Sequence, residues 1–270
     1  MLTVGSLFAG IGGLELGLER AGMKVLWQVE NNEYASRVLA KHWPDVARYG
    51  DVRDVGAHNL APVDLICGGF PCQPFSIAGL RLGSADERWL WPELARIVRE
   101  IAPRWVVAEN VRGLLSNDSG REFGHILGDL AALGFDAEWG VLSATSVGAP
   151  HRRERVFIVA HATQLQRNGS NIYARGGCES PRRVSQPRDG STTSHVPDAG
   201  SVRYGAPDSQ VSAGRNTIEP SDWWRAEPDV GRVADGVPSR VDRLRCLGNA
   251  VVPAVAEYVG RRIVEAEAVS

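Results

Sequence analysis

One cysteine, Cys72, stands between two prolines in the stretch Pro71-Cys72-Gln73-Pro74. The stretch follows the mainly apolar run 63–67, which is typical of a buried strand. Because proline fixes φ and interrupts helices and sheet ladders, we expect the cysteine on a stiff turn at the carboxyl end of that strand. Open α/β sheets bind their ligands at such edges, so the thiol is a candidate nucleophile. A small apolar residue in a buried loop is the alternative for an isolated cysteine.

A glycine-rich turn lies near the amino terminus, between a predicted strand at 2–8 and a segment at 14–20 whose apolar residues recur at helical spacing. Gly10 and Gly12 allow a sharp turn and close approach of a ligand, and the amino end of the helix offers free N–H groups. Glu30 ends the next apolar run, about 20 residues further on, where an acid can accept hydrogen bonds from ribose hydroxyls. The pattern predicts a nucleotide-like cofactor, but NAD-dependent dehydrogenases share it and many glycine turns bind no ligand.

Five segments resemble, in the family's order, the motifs of the DNA (cytosine-5) methyltransferases. They are Phe8-Ala9-Gly10-Ile11-Gly12-Gly13, Pro71-Cys72-Gln73, Glu109-Asn110-Val111, Arg152-Arg153-Glu154-Arg155 and Gly248-Asn249-Ala250-Val251-Val252-Pro253. The stretch between the last two, where such enzymes carry their target-recognition region, has no match. The resemblance implies an α/β fold, with a doubly wound, mainly parallel, Rossmann-like sheet and a small, irregular second domain.

The resemblance also implies covalent chemistry on cytosine. Cytosine C5 is a poor nucleophile, and a thiolate that adds to C6 turns the ring into an enamine. Cys72 is the implied thiolate, and Glu109, which follows the apolar run 104–108, is the implied acid at N3. Both are predicted at carboxyl ends of strands, on one rim of the sheet. The alternative for Glu109 is a solvated carboxylate at a strand end, paired with Arg112.

Two arginines, Arg153 and Arg155, precede the apolar run 156–160, which is predicted to form a buried strand. Alternate side chains of a strand share a face, so we expect both guanidinium groups on one side. The resemblance assigns them to the catalytic site, where they could bind the cytosine O2 and its phosphate and lower the pKa of the thiol. A solvated charge cluster is the alternative. The family usually begins this motif with glutamine, and this chain has His151.

S-adenosyl-L-methionine is the methyl donor that the resemblance implies. Its implied contacts, which include Glu30 on the ribose and Asp51 near the adenine, are Phe8, Gly10, Gly12, Glu30, Asp51, Leu90 and Asn249. Leu90 could equally belong to a helix core, because Leu90, Leu94 and Val98 recur at helical spacing. Where the family often has an aromatic residue over the adenine, next to Glu30, this chain has Asn31.

The composition predicts a soluble, enzyme-sized protein. A chain of 270 residues with 43% hydrophobic content can form one large domain and a small one. No apolar run approaches membrane-spanning length and no charged leader precedes the first predicted strand, so we expect a cytoplasmic protein that binds no membrane. The four cysteines are too few and too irregularly spaced for a disulfide framework or a zinc site, and we expect no metal.

Charge is distributed unevenly along the chain. Residues 1–150 carry 13 basic and 18 acidic side chains, whereas residues 151–245 carry 15 basic and 11 acidic ones. A basic segment beside an acidic cofactor domain suits a protein whose DNA contacts cluster on one side. We therefore expect double-stranded DNA as the substrate of a monomeric enzyme, with a cognate restriction endonuclease as an optional partner.

Alternating strand and helix patterns run from Thr3 to Ala160. The strands are predicted near 3–8, 25–30, 63–67, 104–108, 137–143 and 155–160. Residues 163–221 are rich in Ser, Gly, Pro, Asn, Thr and Arg and are predicted to be irregular. The predicted domains are a catalytic and cofactor-binding domain at 1–160, a target-recognition domain at 161–235, and a segment at 236–270 that returns to the first domain. In the last segment, residues 247–263 are predicted to form a turn that enters an amphipathic helix.

Three other functions fit parts of the sequence. A tRNA cytosine-5 methyltransferase would share Pro71-Cys72-Gln73 and Glu109-Asn110-Val111, but this chain lacks the Cys-Phe-Thr signature of that branch. A non-catalytic DNA-binding relative would explain the biased middle segment, but the intact catalytic residues argue against it. A dehydrogenase would leave the cysteine, the acid and the paired arginines without a role.

Overall fold

The computed structural model describes residues 1–71, 89–163 and 238–269, so Cys72 and most of the predicted recognition domain lie outside the described residues. All of the described residues belong to one compact unit, which joins the amino-terminal part of the chain to its carboxyl-terminal segment. The strands are β1 (Thr3–Leu7), β2 (Lys24–Val29), β3 (Ala47–Tyr49), β4 (Leu65–Gly69), β5 (Trp105–Val111), β6 (Phe135–Leu142) and β7 (Arg155–Ala162). The α-helices are α1 (Gly13–Arg20), α2 (Glu33–His42), α3 (Trp91–Ile101), α4 (Arg121–Ala132), α5 (Arg240–Asn249) and α6 (Pro253–Val269).

The seven strands form one sheet in the order β3-β2-β1-β4-β5-β7-β6. Strands β1 to β5 pair in parallel, and β7 is antiparallel to both of its neighbours. The predicted doubly wound, mainly parallel sheet is therefore confirmed. The chain moves outward from β1 to β3, returns to β4 and then moves the other way, so the switch point of the topology lies between β1 and β4. The glycine turn follows β1, and Phe70 and Pro71, which lead into the cysteine stretch, follow β4, at the edge where such sheets bind ligands.

Two apolar cores cover the two faces of the sheet. Helices α3 and α4 pack on one face, through side chains such as Ile97 and Ile126. Helices α1 and α6 cover the other face, through side chains such as Leu18 and Val259. The inner parallel strands β1, β4 and β5 are mainly apolar because they are buried on both sides. In the part of the chain that the structure describes, no helix is long and apolar enough to span a membrane.

All six predicted strands are present, and the sheet contains one strand that the sequence did not predict. Strand β3 has three residues and pairs with β2 from Trp27 to Val29. Its residues are exposed or half-buried, so it carries no apolar run that could have predicted it. The predicted turn at the start of 247–263 is also displaced. Residues 247–249 complete helix α5, and the turn spans residues 250–252 before α6 begins at Pro253.

Candidate functional site

Glu109 lies near the carboxyl end of β5, directly beside Gly69 at the end of β4. Its side chain is buried, and the residue is only 6% exposed. A Cβ atom on Gly69 would lie 2.8 Å from Glu109 Oε2, so the glycine leaves the space that the carboxylate occupies. Pro71 follows two residues after Gly69, and Cys72 is the next residue along the chain. The sheet thus brings Glu109 to the strand end that leads into the predicted nucleophile.

Asn110, the neighbour of Glu109, fixes the start of this cysteine stretch. Its Nδ2 donates a buried hydrogen bond of 3.0 Å to the carbonyl oxygen of Phe70, and its Oδ1 accepts one of 2.8 Å from the N–H of Val111. The bond joins β5 to the chain two residues before Cys72. Sequence reasoning assigned no role to Asn110, although the Glu-Asn-Val motif contains it.

Glu109 forms a buried ion pair with Arg155, the first residue of β7. Arg155 Nε lies 3.0 Å from Glu109 Oε1, and both side chains are largely shielded from solvent. Burial raises the pKa of Glu109 to about 7, against the lowering effect of the Arg155 and Arg153 charges. The solvated pairing with Arg112 does not occur, because Arg112 pairs with Glu154 at 2.7 Å. The site therefore holds a carboxyl group that can donate a proton near neutral pH.

Arg153 does not belong to β7, so the predicted alternation along a strand is wrong for it, although Arg153 and Arg155 both line the same cavity. Strand β7 begins only at Arg155, and Arg153 precedes it with a positive φ of 35°. The alternation of strand side chains therefore does not apply to it. Its guanidinium group donates hydrogen bonds to main-chain carbonyl oxygens near the end of α5, at 2.6 Å to both Gly248 and Ala250.

The glycine turn after β1 has left-handed backbone at Phe8, Gly10 and Gly12, with φ values of 54°, 57° and 87°. The Gly10 N–H donates to Glu30 Oε2 at 2.7 Å, and the Asn32 N–H donates to Glu30 Oε1 at the same distance. The fold thus holds Glu30, the residue predicted to bind the ribose, against the glycine turn. A Cβ atom on Gly10 would meet no atom within 4 Å, so space for a ligand remains beside this turn.

The remaining predicted cofactor contacts are found in different surroundings. Asp51 caps a short 3-10 helix at Val52–Asp54, where its carboxylate accepts from the N–H of Arg53 at 2.9 Å. Leu90 and Phe8 are both half-buried and pack against the same apolar core. Asn249 ends helix α5 and is exposed, between the two carbonyl groups that Arg153 binds at 2.6 Å.

A cavity of about 840 Å³ opens beside the amino end of α1. Three of the predicted site residues line it, namely Gly12, Arg153 and Arg155. The other predicted cofactor contacts are not among its lining residues. Trp43 also lines the cavity and contacts the position that a Cβ atom would take on Gly12. Sequence reasoning missed Trp43, because nothing in its local sequence distinguishes it from an ordinary residue after a helix.

A doubly wound sheet, with a glycine turn at its switch point and a buried acid on the strand next to β4, defines an α/β protein of the class that binds ligands at this edge of the sheet. More narrowly, the chain belongs to the C-5 cytosine-specific DNA methylase family, whose model matches residues 2–202. Cys72, Glu109, Arg153 and Arg155 all lie within the matched region.

Several methyltransferases are similar to this chain over part of their length. It is 44% identical over 170 residues to the type II methyltransferase M.Eco47II of Escherichia coli, and the match covers 60% of this chain and 40% of that protein. It is 38% identical over 165 residues to the type II methyltransferase M.BsuFI of Bacillus subtilis, with 61% and 40% covered. A DNA modification methyltransferase encoded within an E. coli prophage has a similar crystal structure, with a TM-score of 0.53, 29% identity, and 62% of this chain and 48% of that chain covered. The matches thus span less than half the length of these relatives.

Proposed function

We propose that this chain transfers a methyl group from S-adenosyl-L-methionine to C5 of cytosine in double-stranded DNA. Membership of the C-5 cytosine-specific DNA methylase family supports this reaction. The observation that carries the proposal is the buried pair of Glu109 and Arg155, beside the strand end that leads into Pro71-Cys72-Gln73. A carboxyl group with a pKa of about 7 suits proton donation to a ring nitrogen at neutral pH.

In the proposed reaction the target cytosine leaves the base stack, at a cost of a few kcal/mol that protein–DNA contacts offset. The Cys72 thiolate forms a bond to C6 while Glu109 donates a proton to N3, which makes C5 nucleophilic. After methylation of C5, a base removes the C5 proton and the C6–sulfur bond breaks, which restores the ring and the thiolate. Arg155 holds the Glu109 carboxyl in place and supplies a positive charge next to the cytosine O2.

The residues of the glycine turn fit the proposed cofactor. The open space beside Gly10 would admit a ligand, and the Glu30 oxygens keep lone pairs for ribose hydroxyls in addition to the hydrogen bonds that they accept. Phe8 and Leu90 offer apolar surface nearby. When bound, S-adenosyl-L-methionine supplies the electrophilic methyl group; Gly12, Asp51 and Asn249 complete the proposed set of contacts.

We further propose that the protein acts as a monomer in the cytoplasm, where a reducing environment keeps the Cys72 thiol available. A cognate restriction endonuclease would be an optional partner, because none of the proposed chemical steps needs a second protein. The segment 161–235 would supply target recognition.

The reaction is tested by base-resolution mapping of 5-methylcytosine in a methylation-free bacterial host that expresses the full chain. We expect 5-methylcytosine in one short sequence context. We expect none with Cys72→Ala, because C5 becomes nucleophilic only after the thiolate has added to C6. Cys246→Ala, which alters a half-buried cysteine outside the five motifs and outside the segment 161–235, serves as the control and should leave the marks unchanged.

Measuring the binding of S-adenosyl-L-methionine distinguishes loss of the chemical step from loss of the cofactor site. We expect purified Cys72→Ala protein to bind S-adenosyl-L-methionine as the wild type does, because the glycine turn does not need the thiol. Equal loss of binding and turnover would contradict this division of roles. Intact cofactor binding in the wild type without marks in DNA would favour an RNA substrate or a relative that has lost DNA recognition.

A further inference from the structure

The environment of Arg153 differs from that of Arg155, which pairs with Glu109. Its Nη2 atom lies 2.6 Å from the carbonyl oxygens of Gly248 and Ala250 and 3.3 Å from that of Leu247. Its Nε atom donates a further hydrogen bond of 3.1 Å to Ala250. A guanidinium group committed to main-chain carbonyls in this way has few N–H groups left for a phosphate or a base.

These carbonyls belong to the end of helix α5, which finishes at Asn249. The last four carbonyl groups of a helix have no partner within the helix, and a cation placed there also complements the helix dipole. The N–H of Ala250 bonds to Cys246 at 2.9 Å and satisfies one of these groups. Arg153 satisfies two more, those of Leu247 and Gly248, from the loop before β7, about 95 residues earlier in the chain. It therefore acts as a C-terminal cap that comes from another element.

The turn held by Arg153 packs against the glycine turn. A Cβ atom on Gly13, at the start of α1, would collide with the carbonyl oxygen of Val251. Asn249, a proposed cofactor contact, lies between the carbonyls of Gly248 and Ala250. The position of Asn249 relative to the glycine turn thus depends on the hydrogen bonds from Arg153.

We propose that Arg153 is a positioning residue that clamps the turn at 250–252 against the glycine turn and thereby sets the affinity for S-adenosyl-L-methionine. In naming that ligand, this inference rests on the proposed function. Arg155, two residues after Arg153, pairs with Glu109. The segment 153–155 therefore contacts both the turn beside the proposed cofactor site and the proposed acid. Arg153 positions Asn249 and the turn, whereas Arg155 forms the direct ion pair with the acid.

The test compares full-length Arg153→Ala and Arg153→Lys with the wild type by titration calorimetry with S-adenosyl-L-methionine and by hydrogen exchange at the amides of 247–252. Loss of charge-assisted hydrogen bonds predicts an affinity about 10-fold to 100-fold lower for Arg153→Ala, together with faster exchange in the turn. Lysine keeps the positive charge but cannot donate to several carbonyl groups in the planar geometry of a guanidinium group, so Arg153→Lys should retain only part of the affinity for S-adenosyl-L-methionine. Arg152→Ala, which alters the exposed neighbouring arginine, is the matched control and should change neither readout.

Chemical rescue gives a readout that a general loss of stability would not produce. Arg153 lines the cavity of about 840 Å³, so added guanidinium ion can reach the space that the side chain vacates. We expect low millimolar guanidinium to restore cofactor binding to Arg153→Ala and to leave Arg152→Ala unaffected. Normal cofactor affinity and slow exchange in Arg153→Ala, with weakened DNA binding, would overturn the proposal and make Arg153 a substrate contact. A wild type that binds no S-adenosyl-L-methionine would refute the proposed function, whereas hydrogen exchange at 247–252 would still decide whether Arg153 clamps the turn.

Discussion

The Glu109 carboxyl is under two opposing influences. Burial at the end of β5 disfavours the charged form and raises its pKa to about 7, while Arg155 at 3.0 Å favours the charged form. The outcome is a group that is neither fully protonated nor fully ionised at neutral pH, which suits general acid catalysis. The space for it depends on Gly69, whose missing side chain accommodates Glu109 Oε2.

Removing the Arg155 charge should change the pH dependence of the proposed reaction. In Arg155→Gln the carboxylate loses its nearest cation, so its pKa rises, by roughly one unit or more. If protonated Glu109 is the acid, the descending limb of the single-turnover methylation rate should move to higher pH by the same amount, even though the maximal rate falls. The rate is measured from about pH 6 to about pH 10 with saturating cofactor and DNA.

The matched control for this experiment is Arg112→Gln, because Arg112 pairs with Glu154 and not with Glu109. Its pH profile should have the same descending limb as that of the wild type. An unchanged or lowered midpoint in Arg155→Gln would show that Glu109 is not the group that limits the rate at high pH.

At the level of secondary-structure elements, α1 and α6 approach each other closely. A Cβ atom on Gly17 would collide with Ala256 and with the carbonyl oxygen of Pro253, and one on Gly260 would lie 2.8 Å from Ala21 Cβ. Both glycines therefore let the two backbones approach each other. This contact holds the carboxyl-terminal helix against the helix that starts at the glycine turn, so the proposed cofactor site depends on it.

Enlarging Gly17 should separate the two helices. We expect Gly17→Ala to lower the free energy of unfolding by about 1–3 kcal/mol through overpacking, measured by urea denaturation. Gly124→Ala is the matched control, since Gly124 lies on α4 and a Cβ atom there would meet no atom within 4 Å. This second variant should be more stable than the wild type by about 0.5–1 kcal/mol, because alanine favours a helix interior. Equal effects of the two substitutions would contradict the packing argument.

For the whole molecule, the buried carboxyl group of Glu15, which lies in a cluster of polar side chains, links stability to pH. Ser6, Gln28 and Cys67 are aligned on three adjacent strands and are fully buried. Glu15, on α1, is also fully buried, and neither its carboxylate oxygens nor the Gln28 amide atoms have an aligned hydrogen-bond partner among the described residues. Burial raises the pKa of Glu15 to about 7, and burial together with Glu15 raises the pKa of the Cys67 thiol.

The folded protein should therefore lose stability as the pH rises. Between about pH 4.5 and about pH 7 the folded state keeps a proton on Glu15 that the unfolded chain has released, so the free energy of unfolding falls across this window. A shift from 4.5 to about 7 corresponds to a loss of roughly 3 kcal/mol at most. Glu15→Gln cannot ionise, so its stability relative to the wild type should increase over the same range, as measured by urea unfolding at several pH values.

Glu138→Gln is the control for this effect, because Glu138 lies exposed on β6. Its stability should follow that of the wild type at every pH. A stability difference between Glu15→Gln and the wild type that stays constant with pH would show that Glu15 titrates normally.

Local sequence patterns were sufficient to predict much of the fold and to select the candidate residues of the site. Apolar runs predicted six strands, because in most of them burial on both faces leaves little choice of residue type. The glycine turn and the acid about 20 residues later were recognisable because backbone conformation and ligand chemistry both restrict those positions. Strand β3 was not predicted, because its three exposed or half-buried residues show no periodic pattern of apolar side chains.

Contacts between distant segments were decided only by the tertiary structure. Arg153 belongs to a charged motif, but its partners are carbonyl groups about 95 residues away, which have no signature in the sequence. The pKa of Glu109 depends on how completely β4, β5 and β7 exclude water around it, and the pKa of Glu15 depends on how α1 packs over the sheet. Residue types determine which chemistry is available, whereas burial and the distance between charges, which arise only when the elements pack, determine the protonation state in which each group acts.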